Sequence, residues 1–210
     1  TKTLNLWCDS SNVWLPEDYI VKSSKEVELN KFAGMDCYVG VDLAATSDLT
    51  AVAYLVVLDG TYYFKTHYYL PESALKDKAD KELYKYWKQQ GYLTVTSGNV
   101  TDYDYITADM LRYADVVNIQ SVGYDKYNAT QWAIDSTEQG LPLEEYPQTL
   151  GNFNMPTREL ERLILSGKAV IDNNEINRYC FRNVTLKSDY NGNVKPNKAV
   201  DKKKIDGTIA

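Results

Sequence analysis

Histidine and cysteine are scarce in this chain of 210 residues, which contains one histidine and three cysteines. A multi-histidine metal site is therefore excluded, and a Ser-His-Asp triad would have to use His67. Because His67 stands among tyrosines on a predicted strand, we interpret it as structural. Cys8, Cys37 and Cys180 are an odd number at unrelated spacings, which predicts a reducing compartment and no disulfide framework.

Long apolar runs are also missing. No run approaches the roughly 18 consecutive apolar residues of a membrane-spanning helix, so we expect no membrane partner. The opening residues, TKTLNLWCDSSNVW, lack a basic region followed by an apolar one, so they are not expected to be a signal peptide. No GxxxxGK[ST] phosphate loop is present.

The chain has little excess positive charge, since its formal net charge is −6. That balance argues against tight autonomous binding to a phosphate backbone. Lysine is nevertheless concentrated in residues 195–204, KPNKAVDKKK. Such a run is usually a solvated face, but beside a metal site it would suit phosphate contacts. The candidate DNA-binding lysines are Lys198, Lys202, Lys203 and Lys204.

What is present is a globular composition, with 44% hydrophobic and 25% charged residues. Residues 1–35 lack clear periodicity and are predicted to be an arm or linker, followed by one domain over 36–210. That domain begins with a short apolar strand ending at Asp42, a longer strand over 49–58 and a third over 61–70. The turn signal Asp59-Gly60 makes the second and third strands an antiparallel hairpin.

Helices and further strands alternate after residue 70. The pattern predicts mixed α/β architecture, with an antiparallel portion first. Helices are predicted over 71–90, 102–118, 128–140 and 155–168, and a further helix begins at residue 175. Strands are predicted over 92–96 and 119–125, at LEEYP, and in the stretch that ends at residue 189.

Three aspartates stand at similar places in this pattern. Asp42 and Asp125 each end a predicted strand, and Asp206 opens the last predicted helix. Strand ends in a sheet lie about 5 Å apart, so the fold can bring these carboxylates together. Converging carboxylates repel one another unless a divalent cation binds, and oxygen-only ligands suit Mg²⁺ or Mn²⁺ better than Zn²⁺. Two such ions would support in-line hydrolysis of a phosphodiester, with Asp42 bridging them.

Simpler interpretations stand beside the metal site. Asp42 could cap a turn, while Asp125 and Asp206 could each cap the helix that follows. Asp48 is interpreted mainly as a turn residue facing Thr50, with an accessory metal role as the alternative.

Four blocks follow one another along the sequence: GVDLAATSDLTAV, VGYDKYNATQWA, FNMPTRELERLILSGKAVIDNNEINRYCFRNV and DYNGNVKPNKAVDKKKIDGTIA. Together they resemble the nuclease domain of a tailed-bacteriophage terminase large subunit, of the HK97-like type. The resemblance covers residues 37–210. NLWCDSSNVWLPEDY also resembles the segment that joins the ATPase domain to the nuclease domain in such proteins.

The resemblance implies an RNase H-like mixed sheet flanked by helices, its first strands antiparallel and the later ones parallel. It implies a metal-dependent endonuclease that cuts concatemeric phage DNA during packaging, with two ions of Mg²⁺ or Mn²⁺. The family's three acidic ligands fall on Asp42, Asp125 and Asp206, and Asp48 and Asn183 match supporting positions. The implied partners are double-stranded phage DNA, the terminase ATPase domain, the portal protein and the small terminase subunit, in the cytoplasm of the infected host.

The sequence departs from a complete terminase because it has no Walker motifs, so this chain alone is not expected to translocate DNA. Three alternatives remain open at this point. One is another RNase H-like enzyme, such as a junction resolvase or a DDE transposase, although RELERLILSGK…NRYCFRNV does not suit those. Another is an actin-like kinase or ATPase fragment, which would need a second glycine-rich loop that is not seen. The third is a non-catalytic docking module for a portal or capsid.

Overall fold

Apolar residues alternate along the strands near the middle of the chain and build a mixed sheet. The computed structural model describes residues 14–46, 48–76, 80–127, 129–200 and 203–210. The strands are β1 (Ser24–Lys25), β2 (Asp36–Asp42), β3 (Thr50–Leu58), β4 (Thr61–Pro71), β5 (Thr94–Thr96), β6 (Asn118–Tyr124), β7 (Leu143–Glu145), β8 (Ala169–Asp172), β9 (Val184–Ser188) and β10 (Val194–Lys198).

Helices flank this sheet and connect its strands. They are α1 (Glu17–Ser23), α2 (Lys81–Gln89), α3 (Tyr103–Ala114), α4 (Thr130–Glu138), α5 (Leu150–Leu165), α6 (Glu175–Arg182) and α7 (Asp206–Ile209), with 3₁₀ turns at Leu29–Phe32 and Glu72–Lys76.

The pairing of the strands follows the predicted order, antiparallel first and parallel afterwards. Strands β2, β3 and β4 form an antiparallel meander, and β6 then pairs in parallel with β2. In the described part of the chain the main sheet has eight strands in the order β1-β8-β4-β3-β2-β6-β7, and β5 also pairs with β4. Strands β9 and β10 form a separate antiparallel hairpin.

The two faces of the sheet carry different apolar clusters. Val52, Tyr54 and Val56 of β3 lie in one cluster with residues of α3 and α4. Tyr68 of β4 belongs to a cluster on the other face, with residues of α2 and α6. The alternation that β-strand geometry imposes therefore gives each face its own helical layer.

The segment that precedes β2 is packed against the domain. Trp14 and Ile20 are buried in a cluster with Leu163 of α5 and Phe181 of α6. Strand β1 adds to the sheet edge, where Ser24 pairs with Ile171 of β8. The division at residue 35 and the role of this segment as a linker remain predictions, and residues 1–13, including Cys8, lie outside the described residues.

Truncation of Ile20 tests whether this segment contributes to the folded unit. Ile20 is 3% exposed, whereas its neighbour Val21 on the same helix is 51% exposed. We expect Ile20→Ala to lower the free energy of unfolding by about 2–5 kcal/mol. Val21→Ala should change it by less than about 0.5 kcal/mol. Urea unfolding measures both, and equal, small effects would mean that α1 is a detached arm.

Several boundaries differ from the prediction. The segment expected to be one helix from residue 71 to 90 is a 3₁₀ turn over Glu72–Lys76 followed by α2, and residues 77–79 lie outside the described part. Helix α5 begins before Pro156, at Leu150, because the Thr149 side chain accepts a hydrogen bond from the Asn152 N–H, 3.2 Å away. Strands β8 and β10 were not predicted, since short strands carry little periodic signal.

His67 lies on the face of β4 that packs against α3. Its Nδ1 is 3.4 Å from Oδ2 of Asp109, and its Nε2 is 3.4 Å from the Tyr113 hydroxyl. Its ring also meets the Tyr54 ring edge-on, with 5.6 Å between the ring centroids. These contacts support the structural interpretation of this histidine.

Candidate metal centre

Parallel pairing of β2 with β6 places two of the predicted acids side by side. The register joins Gly40 to Gly123 and Val41 to Tyr124. The next residues along the two strands are Asp42, the last residue of β2, and Asp125, which directly follows β6. The carboxyl ends of parallel neighbours meet at one edge of a sheet, so the two aspartates share that edge.

Gln148 connects these two aspartates. It lies in the loop between β7 and α5. Its side-chain Nε2 donates to Oδ1 of Asp42 over 3.2 Å, and its backbone N–H donates to Oδ2 of Asp125 over 3.1 Å. The other oxygen of Asp125 accepts from the Tyr127 N–H at 2.9 Å. Both carboxylates are therefore oriented by protein donors.

Helix α7 supplies the third acid. Asp206 is its first residue and is 6% exposed, and its Oδ2 is buried with no hydrogen-bond partner. Helix α7 contacts β2, β3 and α6. This close approach depends on two glycines. A Cβ at Gly207 would overlap the Tyr68 hydroxyl, and a Cβ at Gly40 would overlap the carbonyl oxygen of Ala210.

Asp48 lies in the turn between β2 and β3 and carries two lysine partners. Its Oδ1 is 2.6 Å from Nζ of Lys204, and its Oδ2 is 3.4 Å from Nζ of Lys198. The two lysines come from the end of β10 and from the segment before α7. This arrangement brings positive charge from the lysine-rich stretch to the edge that carries the acids.

The charges at this edge act on one another. Burial and the Asp206 carboxylate raise the pKa of Asp42 to about 8, against the lowering effect of the Gln148 amide. Burial and the neighbouring Asp48 raise the pKa of Asp206 to about 6. Burial alone would raise the pKa of Asp48 too, but Lys204 and Lys198 hold it below its usual value. Asp42 and Asp206 thus lack sufficient counter-charge within the protein.

The donor chemistry of this edge fits a hard divalent cation. Its acidic groups offer only oxygen atoms, and Asp206 has a buried oxygen without a hydrogen-bond donor, whose desolvation a bound cation would offset. As placed, the described residues contain no group of three or more His, Cys, Asp or Glu side chains that could hold a metal ion. The residues therefore suit a divalent cation by their oxygen ligands and by the unpaired Oδ2 of Asp206. They do not form a closed coordination shell.

The other residues predicted for the site are Asn183, Lys202 and Lys203, and no hydrogen bond or ion pair joins the described ones, Asn183 and Lys203, to the three aspartates. The Asn183 side-chain amide donates to the Lys204 carbonyl over 3.4 Å, which holds the segment that leads to Asp206. Nζ of Lys203 lies 5.6 Å from the centroid of the Tyr179 ring. Lys202 lies outside the described residues. Gln148 was missed, because a glutamine in a loop has no periodic or spacing signal that links it to distant aspartates.

The strand order and the acid-bearing edge define a class of nuclease fold, and comparison with known proteins gives the family. The whole chain, residues 1–210, matches the family described as "Terminase large subunit, endonuclease domain". The chain belongs to this family and has its RNase H-like fold.

The chain is also similar to individual proteins. The chain is 30% identical over 229 residues to Protein YmfN of Escherichia coli (strain K12), covering 100% of this chain and 49% of that protein. It is 29% identical over 181 residues to the terminase large subunit of Enterobacteria phage HK97, covering 82% of this chain and 35% of that protein. The chain thus spans less than half the length of these two relatives.

Solved structures show the same likeness. The crystal structure of the HK97 bacteriophage large terminase aligns with a TM-score of 0.84 and 25% identity, covering 94% of this chain and 42% of that one. The large terminase nuclease from thermophilic phage G20c, solved with bound magnesium, aligns with a TM-score of 0.56 and 12% identity, covering 83% of this chain and 77% of that one. No helix among the described residues is both long enough and apolar enough to cross a membrane.

Proposed function

We propose that this chain is a metal-dependent DNA endonuclease that cuts concatemeric phage DNA during genome packaging. One observation carries the proposal. In a chain of the terminase nuclease family, Asp42 and Asp125 stand at the ends of two paired strands, and Asp206 of α7 lies close enough for its charge to raise the pKa of Asp42. A docking module for a portal or capsid would have no use for carboxylates gathered in this way.

Each acid has a distinct place in the proposed site. Asp42 stands between the other two, with Asp125 on the adjacent strand and Asp206 close enough for its charge to raise the pKa of Asp42. Asp42 would therefore take part in holding both of two Mg²⁺ or Mn²⁺ ions, while Asp125 and Asp206 would each help to hold one. When bound, the ions would activate water for attack on phosphorus and stabilise the leaving 3′ oxygen. No protein nucleophile is required.

Phosphate contacts are assigned to the lysines at the same edge. Lys198 and Lys204 stand beside the acids through Asp48, and we propose that they face the DNA backbone together with Lys202 and Lys203. The net charge of −6 fits a nuclease that binds DNA weakly by itself. In a longer protein, a motor domain and portal would hold the DNA, with a small terminase subunit as a further partner.

The proposal places this activity in the cytoplasm of an infected bacterium, where phage DNA is packaged. Residues 1–35 would join the nuclease domain, 36–210, to an ATPase domain of the kind that terminase large subunits contain. Asp48 and Asn183 are proposed to support the site, through the paired lysines and through the Lys204 backbone respectively.

Cutting of supercoiled plasmid DNA tests the proposal. The protein is incubated with Mn²⁺, with Mg²⁺ or with EDTA, beside the variants Asp125→Asn and Asp115→Asn. We expect metal-dependent cutting that Asp125→Asn lowers by more than about 100-fold, since even groups that merely orient metal ligands contribute 10–100-fold. Asp115 is exposed at the end of α3, so Asp115→Asn should cut like the parent protein.

The other outcomes distinguish the alternatives. Cutting that persists in EDTA or in Asp125→Asn would place the chemistry elsewhere. A folded protein that cuts with neither metal would favour the docking module. The DNA products also separate a resolvase from a packaging nuclease, because a resolvase would prefer branched junctions over linear duplex.

A further inference from the structure

Gln148 is the one described residue that donates hydrogen bonds to two of the three candidate ligands. Its amide reaches Oδ1 of Asp42 at 3.2 Å, and its backbone N–H reaches Oδ2 of Asp125 at 3.1 Å. The two aspartates stand at the ends of different strands, 83 positions apart in the sequence. One residue thus spans the pair.

The loop that contains Gln148 is held by contacts with β6, α5 and β10. Before it, the Tyr146 N–H donates to the Tyr124 carbonyl of β6 over 2.7 Å. After it, Thr149 caps α5. The Gln148 carbonyl accepts from Nζ of Lys195 on β10 over 3.0 Å. A donor held by three neighbouring elements loses little conformational entropy when it orients a partner, so this residue is preorganised.

We propose that Gln148 is a positioning residue that sets the spacing and rotation of Asp42 and Asp125 for a divalent cation. This inference rests on the proposed function. Two adjacent carboxylates tend to turn away from each other when both are ionised, which is the form that binds a cation, because like charges repel. A donor to one oxygen of each carboxylate opposes that rotation. It leaves the remaining lone pairs of the carboxylates for the ion, since an ionised carboxylate offers about four acceptor sites.

The chemistry of the amide sets the direction of this contact. When Asp42 is ionised, as cation binding requires, an amide oxygen facing it would oppose two acceptors, so the NH₂ group faces the carboxylate, as it does in the structure. Gln148 therefore acts through Asp42 and is not itself assigned as a ligand. The role is that of the outer groups that orient metal ligands in other metalloproteins.

Binding of Mn²⁺ alone, measured by isothermal titration calorimetry, tests the inference without DNA or turnover. Gln148→Met keeps the length and shape of the side chain and removes its donor. We expect the Kd for Mn²⁺ to rise by about 10-fold or more. The matched control is Gln131→Met, because Gln131 also donates its amide to an aspartate, Asp135, at 2.8 Å on the exposed side of α4.

A second readout separates positioning from mere stability. In the plasmid assay, Gln148→Met should need more Mn²⁺ to reach half of its maximal rate, and the rate should approach the parent value when Mn²⁺ saturates. If Gln148→Met fails to fold, as judged by circular dichroism, Gln148→Asn replaces it, since its amide ends one methylene short of Asp42. The expectation for Mn²⁺ binding is the same.

The outcomes separate failure of this inference from failure of the proposed function. If the parent protein and the Gln148 variant bind Mn²⁺ equally well, the positioning role is overturned and the nuclease proposal still stands. A parent protein that binds no Mn²⁺ would overturn both. Weaker binding in the Gln131 control as well would show a general effect of the substitution and would also overturn the assignment to Gln148.

Discussion

Asp42→Asn is expected to abolish metal-dependent cutting and, in the same protein, to raise the melting temperature of the metal-free form. The loss of cutting should exceed about 100-fold, because a group that merely orients a metal ligand already contributes 10–100-fold. Substitution of a residue that only supports the fold would lower the melting temperature. Loss of cutting together with a higher melting temperature therefore identifies a functional carboxylate.

The expected gain in stability follows from the environment of Asp42. Burial and the neighbouring Asp206 raise its pKa in the folded protein to about 8 from an ordinary value of 3.8. For a carboxyl group with a raised folded-state pKa, stability falls as the pH rises from the unfolded value towards the folded one. At pH 7.5 the unfolded chain carries an ionised Asp42, which must take up a proton or bury its charge on folding, and this cost destabilises the folded state. Asparagine removes the cost while keeping the shape of the side chain.

The measurement is a thermal melt with EDTA and with Mn²⁺, beside the plasmid assay. A gain of 1 kcal/mol corresponds to roughly 2–4 °C for a domain of this size. Mn²⁺ should stabilise the parent protein and leave Asp42→Asn unchanged. The matched control is Asp36→Asn at the exposed start of the same strand, where the carboxylate accepts from Asn118 and Gln120 at 2.9 and 3.0 Å. A metal-free Asp42→Asn protein that melts lower than its parent would contradict the argument.

Gly207→Ala is expected to abolish cutting as well, for a steric reason. A Cβ at this position would overlap the Tyr68 hydroxyl and lie 2.5 Å from Cζ of the same ring. Tyr68 is 1% exposed, and its hydroxyl donates to Oδ1 of Asn177 over 2.6 Å. Because the buried ring is held by this hydrogen bond, we expect α7 to move instead, and the adjacent Asp206 to move with it.

Overpacking of this kind typically costs about 1–3 kcal/mol, which a urea unfolding curve resolves. Gly123→Ala is the matched control on the strand next to Gly40. A Cβ there meets only ordinary contacts, at 3.8 Å from the Val39 carbonyl oxygen and 3.9 Å from Cβ of Tyr146. We expect Gly123→Ala to cut DNA and to unfold like the parent protein. Normal cutting by Gly207→Ala would show that the position of α7 does not govern the site.

The sequence alone predicted the central meander and the candidate acids, because these depend on local patterns. A strand that ends on an aspartate is visible in YVGVD and in SVGYD, and Asp59-Gly60 marks the hairpin between β3 and β4. The resemblance to a nuclease family selected the same three aspartates. Patterns with a short period were therefore sufficient to predict the centre of the fold.

What escaped prediction depends on contacts between distant segments. Residues 14–35 have no periodicity of their own, because their apolar side chains pack against different parts of the domain. Trp14, Leu15 and Ile20 lie against α5, α6 and β8, whereas Val27, Leu29 and Phe32 lie in the cluster that contains β2, β3 and α3. The contact of Gln148 with Asp42 joins residues 106 positions apart, and nothing in the EYPQT stretch indicates it. The ion pairs of Asp48 with Lys198 and Lys204 likewise require the tertiary fold.

The placement of Asp206 on α7 also bears on when the proposed activity can arise. In chain order α7 follows every described strand, so a ribosome completes the sheet before it adds the last acid. Domains fold as units during synthesis, and the apolar clusters of the sheet can consolidate at that stage. A nascent chain would thus hold a folded but inert nuclease. The proposed cutting activity would begin only once synthesis had passed Asp206.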